Sequence, residues 1–188
     1  MILYIHGFGS SGQGGKSKLF RSYFKEQSVK FLAPSLSFIP ELALSTLEEI
    51  IEVFADEEIV LIGSSLGGYY SIYLAEKYNL KAVLINPSIK PYETLNKVLG
   101  DNTSFYDGNF SFSWGEAQVE SLRKFDVSIT DPKKYLLLAR KGDEVLDYRE
   151  AEKKLQGAQM IIEEGGDHGF LDVDRHFSKV NEFLKHSL

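Results

Sequence analysis

One stretch limits this chain more than any other. From Glu58 to Tyr70 it reads EIVLIGSSLGGYY, an apolar β-branched segment that enters Gly-x-Ser-x-Gly and continues into residues able to begin a helix. A strand, a sharp turn carrying a serine and a helix are the parts of a nucleophile elbow, with Ser65 at its tip. The spacing has a steric cause. A serine held in a strained left-handed conformation crowds the residues two positions away on either side, and Gly63 and Gly67 remove the β-carbons that would clash. The helix that follows turns its free N–H groups and positive dipole end toward the place where an oxyanion would develop.

The remainder of the chain alternates around this unit. Ile2 to Ile5, Val29 to Ala33, Ile59 to Ile62, Lys81 to Ile85, Lys134 to Ala139 and Gln159 to Glu163 read as short apolar strands. Between them, Lys16 to Gln27, Glu41 to Phe54, Leu66 to Tyr78 and Tyr148 to Leu155 read as helices, and a closing helix is expected from Asp172 to Lys185. Strands alternating with helices predict an α/β fold of about six mainly parallel strands, covered by helices on both faces. The 188 residues suit a single domain, residues 1–188, with a full core. Pro91 to Ile129 departs from the alternation. Its Phe105, Tyr106, Phe110, Phe112 and Trp114 follow no clear period. This excursion, 91–129, reads equally as a small cap or acyl-binding wall and as aromatic packing against the body.

A serine hydroxyl needs a base to take its proton and a third group to orient that base. His168 lies in EEGGDHGF, the loop directly after the last strand, at the same sheet edge as the elbow. His176 and His186 fall in or at the end of the closing helix and read as surface or packing residues. The acid is expected after the fifth strand, in RKGDEVLD, where Asp143 and Asp147 compete. Asp147-Tyr148-Arg149-Glu150 matches a capping box, which gives Asp147 a structural task and leaves Asp143 as the acid. Glu144 is a weaker candidate, and Asp167 reads as a loop-forming residue. The order Ser65, Asp143, His168 is that of an α/β-hydrolase. For the oxyanion hole, the N–H of Leu66 supplies one donor. The loop after the first strand, His6-Gly7-Phe8-Gly9, supplies the other, with Phe8 N–H as the expected group. Gly7 allows close backbone approach, and His6 is expected to hold the loop by hydrogen bonding.

With these residues in view, the chain resembles the small α/β-hydrolase esterases of the YqiA/UPF0227 type. The likeness rests on Tyr4-Ile5-His6-Gly7-Phe8 with Ser10-Ser11, on Gly63 to Tyr70, on Asn86-Pro87, on Gly142 to Arg149 and on Glu163 to His168. It spans nearly the full length. The resemblance implies carboxylic-ester hydrolysis with Ser65, Asp143 and His168 as the triad. It also implies a compact α/β-hydrolase sheet lacking the two leading strands of larger hydrolases. One departure is the glycine-rich Ser11-Gly12-Gln13-Gly14-Gly15, where such esterases often carry proline.

Rival readings are weaker. Gly7-Phe8-Gly9-Ser10-Ser11-Gly12 fits a dinucleotide fingerprint, but Gln13-Gly14-Gly15 delays the helix and the second strand ends in Pro34-Ser35 without an acid for a ribose. Gly15-Lys16-Ser17 resembles the end of a P-loop whose first glycine is replaced by Ser10, and no strand ends in an aspartate for magnesium. A non-catalytic hydrolase-fold binding module would need a broken triad. A thioesterase or amidase would use the same parts. A formal charge of −6 argues against nucleic acid as partner, and the absence of cysteine excludes disulfides, thiolate metal sites and a cysteine nucleophile. No apolar run is long enough for a membrane span, and Met1 to Ile5 lacks the basic start of a signal peptide. The expectation is therefore a cytoplasmic serine esterase acting on a small-molecule acyl ester, with no metal or organic cofactor. The sequence leaves a homo-oligomer open.

Overall fold

The structure, a computed structural model, describes residues 1–104 and 110–184. Eight strands appear: β1 (Ile2–Ile5), β2 (Phe31–Leu32), β3 (Val60–Ser64), β4 (Lys81–Ile85), β5 (Gly100–Thr103), β6 (Ser111–Trp114), β7 (Tyr135–Arg140) and β8 (Gln159–Glu163). The helices are α1 (Gly15–Glu26), α2 (Pro40–Val53), α3 (Leu66–Tyr78), α4 (Pro91–Thr94), α5 (Glu116–Leu122), α6 (Tyr148–Lys154) and α7 (Phe177–Leu184). Six strands form one parallel sheet in the order β2-β1-β3-β4-β7-β8, and β5 pairs antiparallel with β6 apart from it. This is the α/β arrangement that the alternation predicts.

Both sheet faces are covered, which is why the central strands read as unbroken apolar runs. On one face Leu3, Ile5, Leu61, Leu84 and Leu137 pack under α2, α3 and α5. On the other, Tyr4, Ile62, Val83, Ile85 and Leu138 meet Phe20 and Phe24 of α1 and Val180 and Phe183 of α7. Each side chain of this kind is worth about 1.5–3 kcal/mol when fully buried. The sheet can therefore present a strained loop at its C-terminal edge without unfolding.

Three elements depart from the sequence expectation. The second strand is only two residues long because Val29 N–H is already used by the Phe24 carbonyl at the end of α1, and Pro34 has no N–H to continue the ladder. The closing helix begins as a 3-10 turn, Val173–His176, before α7 starts at Phe177. Its expected end at Lys185, and His186, lie outside the described residues, as do Phe105 and Tyr106. The excursion 91–129 is more regular than its sequence suggests. It contains α4, α5 and the β5–β6 pair, in which Gly100 to Thr103 carries no apolar side chain and is held by its register with Ser111 to Trp114.

Candidate active site

The elbow has the geometry its glycines require. Ser65 adopts φ 56° and ψ −121° between β3 and α3, a conformation costing an L-residue on the order of 1–3 kcal/mol. A β-carbon at Gly63 would collide with the Gly67 carbonyl and the Ser71 hydroxyl. One at Gly67 would collide with the Ile5 carbonyl and lie 2.6 Å from that of His6. The turn is tied down by Ser65 N–H donating to Ile85 O at 3.1 Å and by Ser88 N–H donating to Ser65 O at 3.0 Å.

Ser65, His168 and Asp143 form one hydrogen-bonded chain. Ser65 Oγ lies 3.1 Å from His168 Nε2, and His168 Nδ1 lies 2.8 Å from Asp143 Oδ2. An ionised Asp143 can only accept, so Nδ1 carries the proton and Nε2 is left to accept from the Ser65 hydroxyl. The Asp143 side chain is 2 % exposed, and its other oxygen accepts from Val145 N–H and Leu146 N–H, both at 2.8 Å. Asp147 is placed elsewhere. It caps α6 by accepting from Arg149 N–H at 3.0 Å and pairs with the Arg149 guanidinium. Glu144 reaches the same loop in another way, accepting His168 N–H at 3.0 Å. Asp167 shapes the loop by accepting from Phe170 N–H at 3.0 Å.

Two residues to which the sequence reading gave no role in the site hold this loop. Asn86, just past β4, is 4 % exposed and has φ 39°. Its Nδ2 donates to Asp167 O at 3.1 Å and His168 O at 3.3 Å, and its Oδ1 accepts from Arg140 N–H at 2.9 Å. Arg140, at the end of β7, is buried and pairs with Glu163 at 2.9 Å and Asp172 at 2.6 Å, while its guanidinium stacks over Phe170. His176 packs edge-on against Phe170 and contacts Glu163.

His6 is buried at the start of the first loop. Its Nδ1–H donates to Gly7 O at 2.8 Å, and its Nε2 accepts from Leu36 N–H at 2.9 Å. Burial lowers its pKa from the usual 6.5, so the neutral ring clips the loop to the segment after β2. A β-carbon on Gly7 would lie 3.0 Å from that of Ser65 and 3.3 Å from the Ser64 carbonyl oxygen, so glycine lets the loop pass this close to the elbow without displacing it. Among the described residues, no protein acceptor takes the N–H of Phe8 or of Leu66. The Phe8 ring packs edge-on to Phe112 at 5.3 Å and to Trp114 at 5.0 Å, which fixes that loop against β6.

Two cavities adjoin at this loop, sharing Gly7, Phe8, Ser10, Ser11 and Leu66 in their walls. The larger, about 480 Å³, contains Ser65 and His168 together with Lys16, Thr94 and Asn102. The Lys16 ammonium donates to Gly169 O at 2.5 Å, and its burial lowers its pKa. The smaller cavity, about 350 Å³, is lined by aromatic rings such as Phe38, Tyr70 and Trp114 and by serines such as Ser35, Ser37 and Ser104. No helix among the described residues is long and apolar enough to cross a membrane.

Comparison with known proteins agrees with the fold. A model of the family described as "Uncharacterised protein family (UPF0227)" matches residues 1–185. A UPF0227 protein of Citrobacter koseri is 22 % identical over 187 residues, covering 97 % of this chain and 98 % of that one. The UPF0227 protein YcfP of Escherichia coli O9:H4 is 21 % identical with the same coverage. Among solved structures, mouse alpha/beta hydrolase domain-containing protein 10 superimposes with a TM-score of 0.76 at 16 % identity, covering 98 % of this chain and 89 % of that one. A monoacylglycerol lipase of Paleococcus ferrophilus gives a TM-score of 0.71 at 17 % identity, covering 99 % and 94 %.

Proposed function

Because the chain belongs to the UPF0227 family and has an α/β-hydrolase fold, we propose that it is a serine hydrolase that cleaves small carboxylic esters through an acyl-enzyme. The observation that carries this reading is the chain of two hydrogen bonds, Ser65 Oγ to His168 Nε2 at 3.1 Å and His168 Nδ1 to Asp143 Oδ2 at 2.8 Å. On this reading Ser65 Oγ attacks the ester carbonyl carbon as its proton passes to His168 Nε2. The buried Asp143 carboxylate keeps the imidazole in the right tautomer and stabilises its charged form. The carbonyl electron pair moves onto oxygen, where the N–H groups of Leu66 and Phe8 receive it, aided by the positive end of α3. Collapse breaks the bond to the alcohol oxygen, which takes the proton from Nε2. Water then repeats the sequence on the acyl-enzyme and frees Ser65.

The test is turnover of p-nitrophenyl esters by wild type and Ser65→Ala, with thioesters and anilides of the same acyl groups alongside. Turnover of esters that falls by about 10³-fold or more in Ser65→Ala, with the thermal transition unchanged, supports the proposal. Turnover of thioesters or anilides alone would reassign the leaving group. Undiminished ester turnover in Ser65→Ala would overturn the assignment.

A further inference from the structure

We propose that the two adjoining cavities are the two arms of one substrate site, the aromatic cavity taking the acyl group and the larger cavity the alcohol part. The inference rests on the serine-hydrolase reading above and assigns its substrate class: esters of a medium-sized, largely apolar acyl group.

The argument starts from the tetrahedral intermediate. Its central carbon carries Ser65 Oγ, the oxyanion, the acyl chain and the leaving oxygen. The oxyanion faces the N–H groups of Phe8 and Leu66, and both residues belong to the wall that the cavities share. The two remaining groups therefore diverge from a point on that wall. The leaving oxygen must receive a proton from His168 Nε2. Ser65 and His168 line the larger cavity, and neither is among the described residues lining the smaller one. The alcohol part thus occupies the larger cavity, and the acyl chain is left with the smaller.

The wall chemistry of the acyl arm agrees. Around the acyl arm stand Phe8, Phe38, Tyr70, Phe112 and Trp114, rings that gain by excluding water from hydrocarbon, with serines such as Ser35 and Ser37 between them. The alcohol arm is also lined mainly by apolar side chains, Leu95, Val98, Val145, Leu146 and Leu171, and its polar groups include the Lys16 ammonium, Thr94 and Asn102. Its rim includes Val98, 40 % exposed. A volume of about 350 Å³, at about 30 Å³ per water-sized group, holds roughly twelve heavy atoms. That suits a medium acyl chain or one aromatic ring better than a long lipid tail.

The test crosses two ester series with two cavity-filling variants. Ser37 lines the acyl arm and Val98 the alcohol arm; the variants are Ser37→Phe, with Ser37→Leu as a smaller filler should the first fail to fold, and Val98→Trp. One series varies the acyl chain on a constant p-nitrophenol, and the other varies the alcohol on a constant acetyl group. Ser37→Phe should lower the hexanoyl-to-acetyl ratio of kcat/KM by about tenfold or more, while moving the large-to-small alcohol ratio by less than about twofold. Val98→Trp should do the reverse. The opposite pattern, or both ratios falling together in either variant, would overturn the assignment of the arms. If wild type turned over no ester, or Ser65→Ala retained its turnover, the serine-hydrolase reading would fall first and this inference with it.

Discussion

Asn86→Asp separates the placement of His168 from the general stability of the fold. The native side chain makes three hydrogen bonds in a buried position, two from Nδ2 to the carbonyls of Asp167 and His168 and one from Arg140 N–H to Oδ1. Aspartate keeps the shape, the tolerance for φ 39° and the acceptor for Arg140. It replaces the donor with a carboxylate oxygen aimed at two carbonyl oxygens. Two satisfied carbonyls become repulsive contacts, at roughly 1 kcal/mol each, and a buried charge is added. The expected loss is about 2–4 kcal/mol, read from urea midpoints at constant m. The two carbonyls bracket the His168 residue along the backbone, so relief of the repulsion is expected to shift that backbone and with it the imidazole relative to Ser65. A displacement of about 1 Å costs about 100-fold in rate. On p-nitrophenyl esters kcat should therefore fall by about 10–100-fold, with KM changed by less than about threefold. Val180→Ala, on the buried face of α7, serves as the stability control, since it loses roughly 1–3 kcal/mol without removing a hydrogen bond of the His168 loop. Wild-type kcat in Asn86→Asp, or an equal fall of kcat in Val180→Ala, would refute the positioning role.

The other expectations are simpler. Asp143→Asn should lower kcat by about 10³-fold or more, because asparagine no longer selects the Nδ1–H tautomer of His168, whereas Asp147→Asn should leave kcat within about twofold of wild type; a reversed pair would show that the acid is Asp147. His6, held below its usual 6.5 by burial, contributes stability that is fully present above that value. This stability is lost as pH falls below it, since the unfolded chain takes up a proton that the folded chain resists. Urea midpoints measured from about pH 8 down to about pH 5 should thus decline more steeply for wild type than for His6→Gln, and equal slopes would refute the point. Gly67→Ala should cost about 3 kcal/mol or more, because its β-carbon meets the Ile5 and His6 carbonyls. Gly15→Ala, whose β-carbon meets nothing within 4 Å, should be neutral or slightly stabilising in thermal unfolding.

The elbow was legible because its demands are local. A serine at positive φ needs small neighbours at fixed spacing, so Gly63 and Gly67 announce it without knowledge of the rest of the fold. The placement of Asp143, and not Asp147, beside His168 was legible for a related reason. A helix cap is read from a four-residue pattern, and recognising one at Asp147, which accepts from Arg149 N–H, left Asp143 for the longer reach to His168. The β5–β6 pair was not legible. Gly100 to Thr103 has neither apolar alternation nor β-branched weight, and its strand state depends on a partner beginning at Ser111.

Asn86 was hidden for the same reason on a longer scale. Asn-Pro after a strand reads as a stop signal, and nothing nearby reveals partners 54, 81 and 82 residues away. The aromatic rings of the excursion belong with it. Phe112 and Trp114 show no period by which to assign a face, yet they meet Phe8 from the first loop and so connect the cavity wall to the expected oxyanion donor. A strained serine turn can be read from its immediate sequence because backbone strain acts over two or three residues. The groups that hold His168 and line the cavities act through contacts closed by the fold, and these are visible only once distant loops have met at one sheet edge.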